Sequence, residues 1–482
     1  MKILLFLFSF NLIDEIAPFR YVLNIASDGH KVYTSSPFGI AEFDFYRGDY
    51  VRGYILNEEI NVIAPDIYTG SIYFSSRGTL FRMNLGSGFK TSLGNFLNIS
   101  SIGITQNDLY IDEKGIIKIL DKFTGVEKTS GEKNIIWFGE KRNLKKDSKE
   151  IFFLSPYFYY VQNFGKVEYT VFFKEKNKIF AGTWGDGLHV YEEGIIIPQK
   201  KHSIGPATPL ITFMKNTREG IWIVSRKYLN FEGLTQRRNG EWIVYKKEEV
   251  FGLPEENIKD IEEMGNKIYF SHSGGITVFE KGKFYKLTDP YFSIREINSM
   301  LINYPDMWIG TDDGIYRINP ETGSILSHFL ENIYVEDVEE IKGIIFAGTE
   351  KGLFYITPDK DKFLHFSDEK NYSISYILKL CKRNDTLIVG SYNGIFMIFK
   401  ENEKFKVFYP SPFPSREILD MKLYKNFLFV ASLDGLFYYD IKKDLWKRGN
   451  FSKGFNVSVL CLMTKDDTLW VGTDKGIFLF KL

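Results

Sequence analysis

Two cysteines, Cys381 and Cys461, stand in a chain of 482 residues. That number cannot build a disulfide framework, and neither lies near the N-terminus where a lipid could be attached. Both read as thiols on inner strands. The six histidines (His30, His189, His202, His272, His328 and His365) show no metal-ligand spacing, so no metal and no cofactor are expected. Net charge is missing too. Lys plus Arg and Asp plus Glu number 61 each, which argues against a nucleic-acid partner. No apolar run reaches 20 residues, so no membrane-spanning helix is expected. No segment keeps a 3.6-residue apolar period between helix caps. Searches for G-x-S-x-G, H-E-x-x-H, a Walker loop and paired-cysteine motifs find none.

What the chain has is aromatics and repetition. Phe and Tyr number 44 and 29, and Gly 41. From Trp308 the sequence reads WIGTDDGIYRI. It returns as FAGTEKGLFYI from Phe346, IVGSYNGIFMI from Ile388, FVASLDGLFYY from Phe429 and WVGTDKGIFLF from Trp470. The second glycine falls at 314, 352, 394, 435 and 476, in steps of 38, 42, 41 and 41. A strand, a tight turn and a second strand recurring about every 40 residues is the mark of a β-propeller blade. The turn glycine needs φ > 0, the first glycine of G-T is a packing position, and Thr311 offers its hydroxyl to the turn.

Looser copies follow KVYTS at Gly39, SIYF at Gly78, DLYI at Gly115, KIFA at Gly187 and KIYFSH at Gly275. Two degenerate units, one running to Gly233 and one near Phe158 (IFFLSPYFYYV), bring the anchors to 12. The expectation is all-β: about 12 four-stranded blades. A single core seldom exceeds about 250–300 residues and propellers close with about 4–8 blades, so two rings of six are expected.

The final unit lacks a fourth strand after Leu482. Residues 14 to 20 are free to supply it and spare an exposed edge. The expected division is therefore 14–165 and 371–482 in a first ring, with 166–370 as a continuous second ring; a plain tandem of two rings is the alternative. The crossing is expected between Phe123 and Tyr169. Residues 1–13, MKILLFLFSFNLI, have the size of a signal-peptide apolar region, which predicts export with a mature start after Leu12. The alternative is an apolar edge strand of the fold, since Ala17 before Pro18 is a poor cleavage site.

The G-T-x-x-G-[IL]-[FY] core behind Trp-Ile or Trp-Val resembles the two-component regulator propeller repeat. That resemblance implies paired propellers, as in the periplasmic sensor regions of hybrid histidine kinases. It also occurs in free-standing exported proteins, including a propeller component of the type IX secretion machinery. The membrane helix and signalling domains of the kinase relatives are not found in these 482 residues, so kinase signalling in cis is not expected.

The functional expectation is a non-enzymatic, extracytoplasmic module or scaffold that binds a protein or carbohydrate. The alternative is a polysaccharide lyase or glycosidase. Its site would need a convergent His/Tyr/Arg set or two carboxylates at a channel mouth. Binding is placed on the face where loops lead into the inner strands. Arg295 and Arg416, in S-I-R-E-I and S-R-E-I, could grip a carboxylate by their planar forks; each could equally form a surface pair with its neighbouring Glu. Trp184 could stack on a sugar ring or pack on a neighbouring blade. Asp186, Asp313, Asp434 and Asp474 could ring a pocket or cap their own turns.

Overall fold

The computed structural model describes residues 10–482 apart from 57, 194, 230–231, 255–256, 288–295, 358–361, 367–375, 402–403, 416, 450 and 452–456. The described residues form eleven antiparallel sheets. Sheet 1 covers 24–55, sheet 2 62–95, sheet 3 101–139, sheet 4 158–202, sheet 5 211–245, sheet 6 260–287, sheet 7 297–329, sheet 8 335–365, sheet 9 377–408, sheet 10 420–448 and sheet 11 459–481. Nine have four strands; sheets 3 and 4 have five.

Twelve anchors gave one sheet too many, and the reason is local. IFFLSPYFYYV carries no G-T core to turn a strand back on itself. Lys149–Leu154 is instead a 3-10 helix, opened by Ser148 accepting from Glu150 N at 3.3 Å. Phe158–Val161 then pairs with the start of Gly165–Glu175 and becomes the edge of sheet 4. The other degenerate unit is a full sheet, sheet 5.

The repeat chemistry is as read. Thr311 donates to Gly314 O at 2.9 Å and accepts from Asp313 N at 3.1 Å. Gly314 has φ +102°. The first glycine of each pair faces the next sheet with no room for a side chain. A Cβ on Gly310 would sit 2.8 Å from Val335, on Gly348 2.6 Å from Ile377, and on Gly390 3.1 Å from Ile418. The motif thus sets both the turn and the distance to the neighbour.

The same contacts draw the rings. Gly472 in sheet 11 faces Ile211 in sheet 5, and Gly182 in sheet 4 faces Val22 just ahead of sheet 1. Inner strands touch in the order 5, 6, 7, 8, 9, 10, 11 and back to 5, a closed cycle of seven. Sheets 1 to 4 form the other unit. Sheet 2 touches sheets 1 and 3, sheet 1 touches sheet 4, and a bridge from Leu144 to Phe172 joins sheets 3 and 4. The division expected at 165 and 370 is therefore not the one the packing makes. Equal rings were inferred from repeat number, which carries no information about where a cycle closes.

The closing strand comes from the other end of the chain. Asn11–Ile16 pairs antiparallel with Ile477–Lys481, from Asn11 opposite Lys481 to Ile16 opposite Ile477. Phe10 sits against Phe427, Phe429 and Tyr438, with ring centroids 5.5, 5.1 and 5.0 Å away. Residues 10–13 of the supposed signal segment are therefore part of the fold; residues 1–9 lie outside the described residues. The passages between units are 17–23 and 203–210, not 123–169. They run beside each other: Tyr21 OH donates to Ala207 O at 3.5 Å, and Arg20 donates to Ser203 Oγ.

Aspartates staple the seven-sheet cycle at its axis. Asp260 accepts from Met300 N, Asp337 from Leu380 N and Asp420 from Leu462 N, each at 2.8 Å. Each bond crosses to the next sheet, whose inner strand bulges just before the donor. Burial, with the charge of Glu262 beside it, pushes Asp260 up to about 7. Burial alone would lower the Lys379 ammonium, yet Asp337, Asp420 and Asp260 hold it above the ordinary lysine value. Cys381 and Cys461 lie on the inner strands of sheets 9 and 11, both as free thiols.

Candidate functional site

The chain leading into each inner strand of sheets 1 to 3 has the same form: Leu23-Asn24-Ile25, Ile60-Asn61-Val62 and Leu97-Asn98-Ile99. Four of the six apolar flanks turn into the sheet cores, where Ile25, Ile60, Val62 and Ile99 are buried; Leu23 is partly buried and Leu97 faces solvent. The asparagines are left at the axis. They open onto a cavity of about 550 Å³ at the mouth of the four-sheet unit. Sheet 4 adds Thr170 to its wall. The segment after the extra strand of sheet 3 adds Glu140, Asn143, Lys145 and Lys146.

That segment is tied down at both sides. Asn143 N donates to Gly139 O and Leu144 N to Phe172 O, at 2.9 and 2.8 Å. Arg142 reaches Glu175 at 2.8 Å, and Lys174 reaches Glu150 at 2.8 Å. Thr170 Oγ1 donates to Val22 O at 2.6 Å. The wall is built on strand ends of four sheets rather than on one long loop, which holds its groups in place.

Two acceptors in this wall have no donor. Asn24 is 6% exposed, and its Nδ2 donates to Asn61 O at 3.3 Å while its Oδ1 has no partner. Asn143 Oδ1 is buried and likewise unmatched. Turning the Asn24 amide over would set its oxygen against the Asn61 carbonyl, so the oxygen is the atom left over. An unmatched buried acceptor costs about 1–3 kcal/mol, which a bound donor would recover.

Arg295 and Arg416 fall outside the described residues. Trp184 is 39% exposed, with its ring 5.2 Å from that of Tyr21, and is not among the residues lining the cavity. The turn aspartates hold arriving backbone or side chains: Asp313 takes Asn332 N at 2.9 Å, Asp434 takes Ser415 Oγ at 2.7 Å and Asp474 takes Ser458 N at 3.1 Å.

Asp186 belongs to a buried cluster in sheet 4. Its Oδ2 meets Tyr159 OH at 2.6 Å and His189 Nε2 at 3.0 Å. Burial would raise the Asp186 carboxyl, but His189, Tyr159 and Arg20 together hold it below the ordinary range. Burial lowers the His189 imidazole against the pull of Asp186. His189 is 1% exposed, so Asp186 and His189 hold one another inside the protein, while one Arg20 guanidinium nitrogen is buried without a partner. Among the described residues no group of three or more His, Cys, Asp or Glu could hold a metal, and no helix is long and apolar enough to cross a membrane.

The asparagines could have been found in the sequence. Asn24, Asn61 and Asn98 recur in steps of 37 with apolar residues on both sides. A repeat indexed on its glycine turns does not display this period.

No protein-family model matches the chain, and no curated protein matches it in sequence. Solved structures similar to it include the extracellular domain of a hybrid two-component system of B. thetaiotaomicron, at 14% identity and TM-score 0.48, covering 95% of this chain and 68% of that one. Another is the extracellular domain of a one-component system of the same organism, at 15% and 0.47, covering 95% and 64%. PorZ, a surface component of the type IX secretion system of Porphyromonas gingivalis, matches at 12% and 0.48, covering 96% and 74%. The chain thus spans 64 to 74% of the length of these solved chains.

Proposed function

We propose that the chain is a non-enzymatic binding module or scaffold working outside the cytoplasm, and that the mouth of the four-sheet unit is its binding site. The observation that carries this reading is a polar axial cavity with two buried amide oxygens lacking donors. Glu140 is the single carboxylate in its wall, so the paired acids that glycoside hydrolysis requires are not gathered there. The His/Tyr/Arg set that a lyase would need occurs around Asp186, buried and away from this cavity. Export rests on the apolar run at the start of the chain. Phe10 to Ile13 belong to the folded domain, so cleavage after Leu12 would cut the closing strand.

The test is a ligand-observed NMR screen of a panel of sugars, amino acids and carboxylates against the full chain. It is repeated on Asn98→Trp, which would plug the mouth from an exposed rim position. We expect at least one panel member to bind the parent chain and to be lost in the plugged variant, with the melting temperature unchanged. No binder at all, or binders indifferent to the plug, would overturn the assignment.

A further inference from the structure

Resting on that reading, we propose that the cavity is built for a polyhydroxy carboxylate: a small acid whose hydroxyls fill the amide wall and whose carboxylate meets Lys145 and Lys146.

The donor side of the argument comes from Asn24 and Asn143. Both present a buried oxygen without a donor, so the complementary groups must bring protons to share. Hydroxyls do this while also accepting from amide Nδ2 groups, which suits a wall carrying Asn61 and Asn98 as well. A simple carboxylate offers acceptors only and would leave both oxygens unmatched. Apolar side chains such as Ile99 and Val171 also line the cavity, beside Ser100 and Thr170, and can take the C–H faces of a carbon chain or ring.

The charge side comes from the rim. Lys145 and Lys146 are exposed and line the cavity. Several acids in the region are paired with other cations: Glu175 with Arg142, Glu150 with Lys174, Asp112 with Lys141 at 2.7 Å, and Glu168 with Lys166, although Glu168 also feels the charge of Lys146. Two lysines against Glu140 leave the lining with one surplus positive charge. An anion entering here meets cations with no salt bridge of their own among the described residues, so no existing ion pair has to be broken.

Three matched probes separate the parts of the proposal: gluconate (hydroxyls and carboxylate), glucitol (hydroxyls alone) and hexanoate (carboxylate alone). Each is titrated into the full chain and followed by calorimetry and ligand-observed NMR. Gluconate should bind at least tenfold tighter than glucitol, and hexanoate should not register. The double variant Lys145→Ala, Lys146→Ala should bring gluconate to the level of glucitol with an unchanged melting temperature. Asn143→Leu should weaken both polyols. Galacturonate and its trimer, run side by side, tell a free acid from the end of an acidic chain. Hexanoate binding as well as gluconate, or glucitol binding as well as gluconate, would overturn the proposal. So would another panel compound filling the cavity while all three probes fail, which would still leave the site itself standing. Failure of every probe and every panel compound would remove the site as well.

Discussion

Gly472 of sheet 11 lies so close to Ile211 of sheet 5 that a Cβ on the glycine would stand 2.8 Å from the isoleucine Cγ2. The contact closes the seven-sheet cycle, and Cys461 Sγ presses on the same spot. Gly472→Val should therefore overpack the seam and cost roughly 1–3 kcal/mol. Thermal melting of the variant checks this. A melting point equal to that of the parent would mean that the seam is looser than the packing indicates.

The turn glycines make a second expectation. Gly314 and Gly476 have φ of +102° and +135°, and a Cβ on Gly476 would sit 2.5 Å from Ile16 O. Gly314→Val and Gly476→Val should each lose at least about 1 kcal/mol from the backbone conformation alone. Gly476→Val should lose more, because it also pushes on the closing strand. Denaturant titration of both variants gives the ranking.

Phe10 tests the start of the chain. Its ring meets three aromatic rings of sheet 10 but remains partly exposed. Phe10→Ala should cost about 2 kcal/mol, below the roughly 3–5 kcal/mol of a fully buried phenylalanine. Mass spectrometry of protein recovered from its native host should show that Phe10 is retained. A mature chain beginning at Ile13 would contradict the packing.

Asp14 supplies a pH dependence. It accepts from Gly53 N and Tyr50 OH at 3.1 Å and from Glu15 N at 2.9 Å, binding the closing strand to sheet 1. Burial raises its carboxyl to about 6, against the pull of these hydrogen bonds and of Arg237. The folded state then holds the proton more tightly than the unfolded one. This group's contribution is most favourable below about pH 4 and declines as pH rises to about 6. Asp14→Asn should therefore gain on the parent over that window, by up to about 3 kcal/mol at roughly 1.4 kcal/mol per unit. Parallel stability curves from pH 4 to pH 7 would refute the shift.

The propeller character was legible because the G-T-x-x-G core encodes two hard constraints at once: a left-handed turn at Gly314 and a backbone approach at Gly310. Strand supply from the N-terminus was legible as well, because IFLFKL ends with an unpaired edge. The ring sizes were not. Whether Gly472 meets Ile211 or some other inner strand depends on the accumulated angle between sheets, which no local motif records. The site was half legible. Its three leading-loop asparagines are periodic, but Asn143, Lys145 and Lys146 come from an irregular return strand that exists only in sheet 3. Of the expected residues, Trp184 lies in sheet 4 outside the cavity wall, and Arg295 and Arg416 fall outside the described residues.

The pairing of Asn11–Ile16 with Ile477–Lys481 joins segments more than 460 residues apart in the sequence. A contact of that separation pays its loop-closure entropy before it repays it, so the closing strand should dock late in refolding. Until it docks, Phe478 and Phe480 lie along an unpaired edge, where a strand from another copy could take its place.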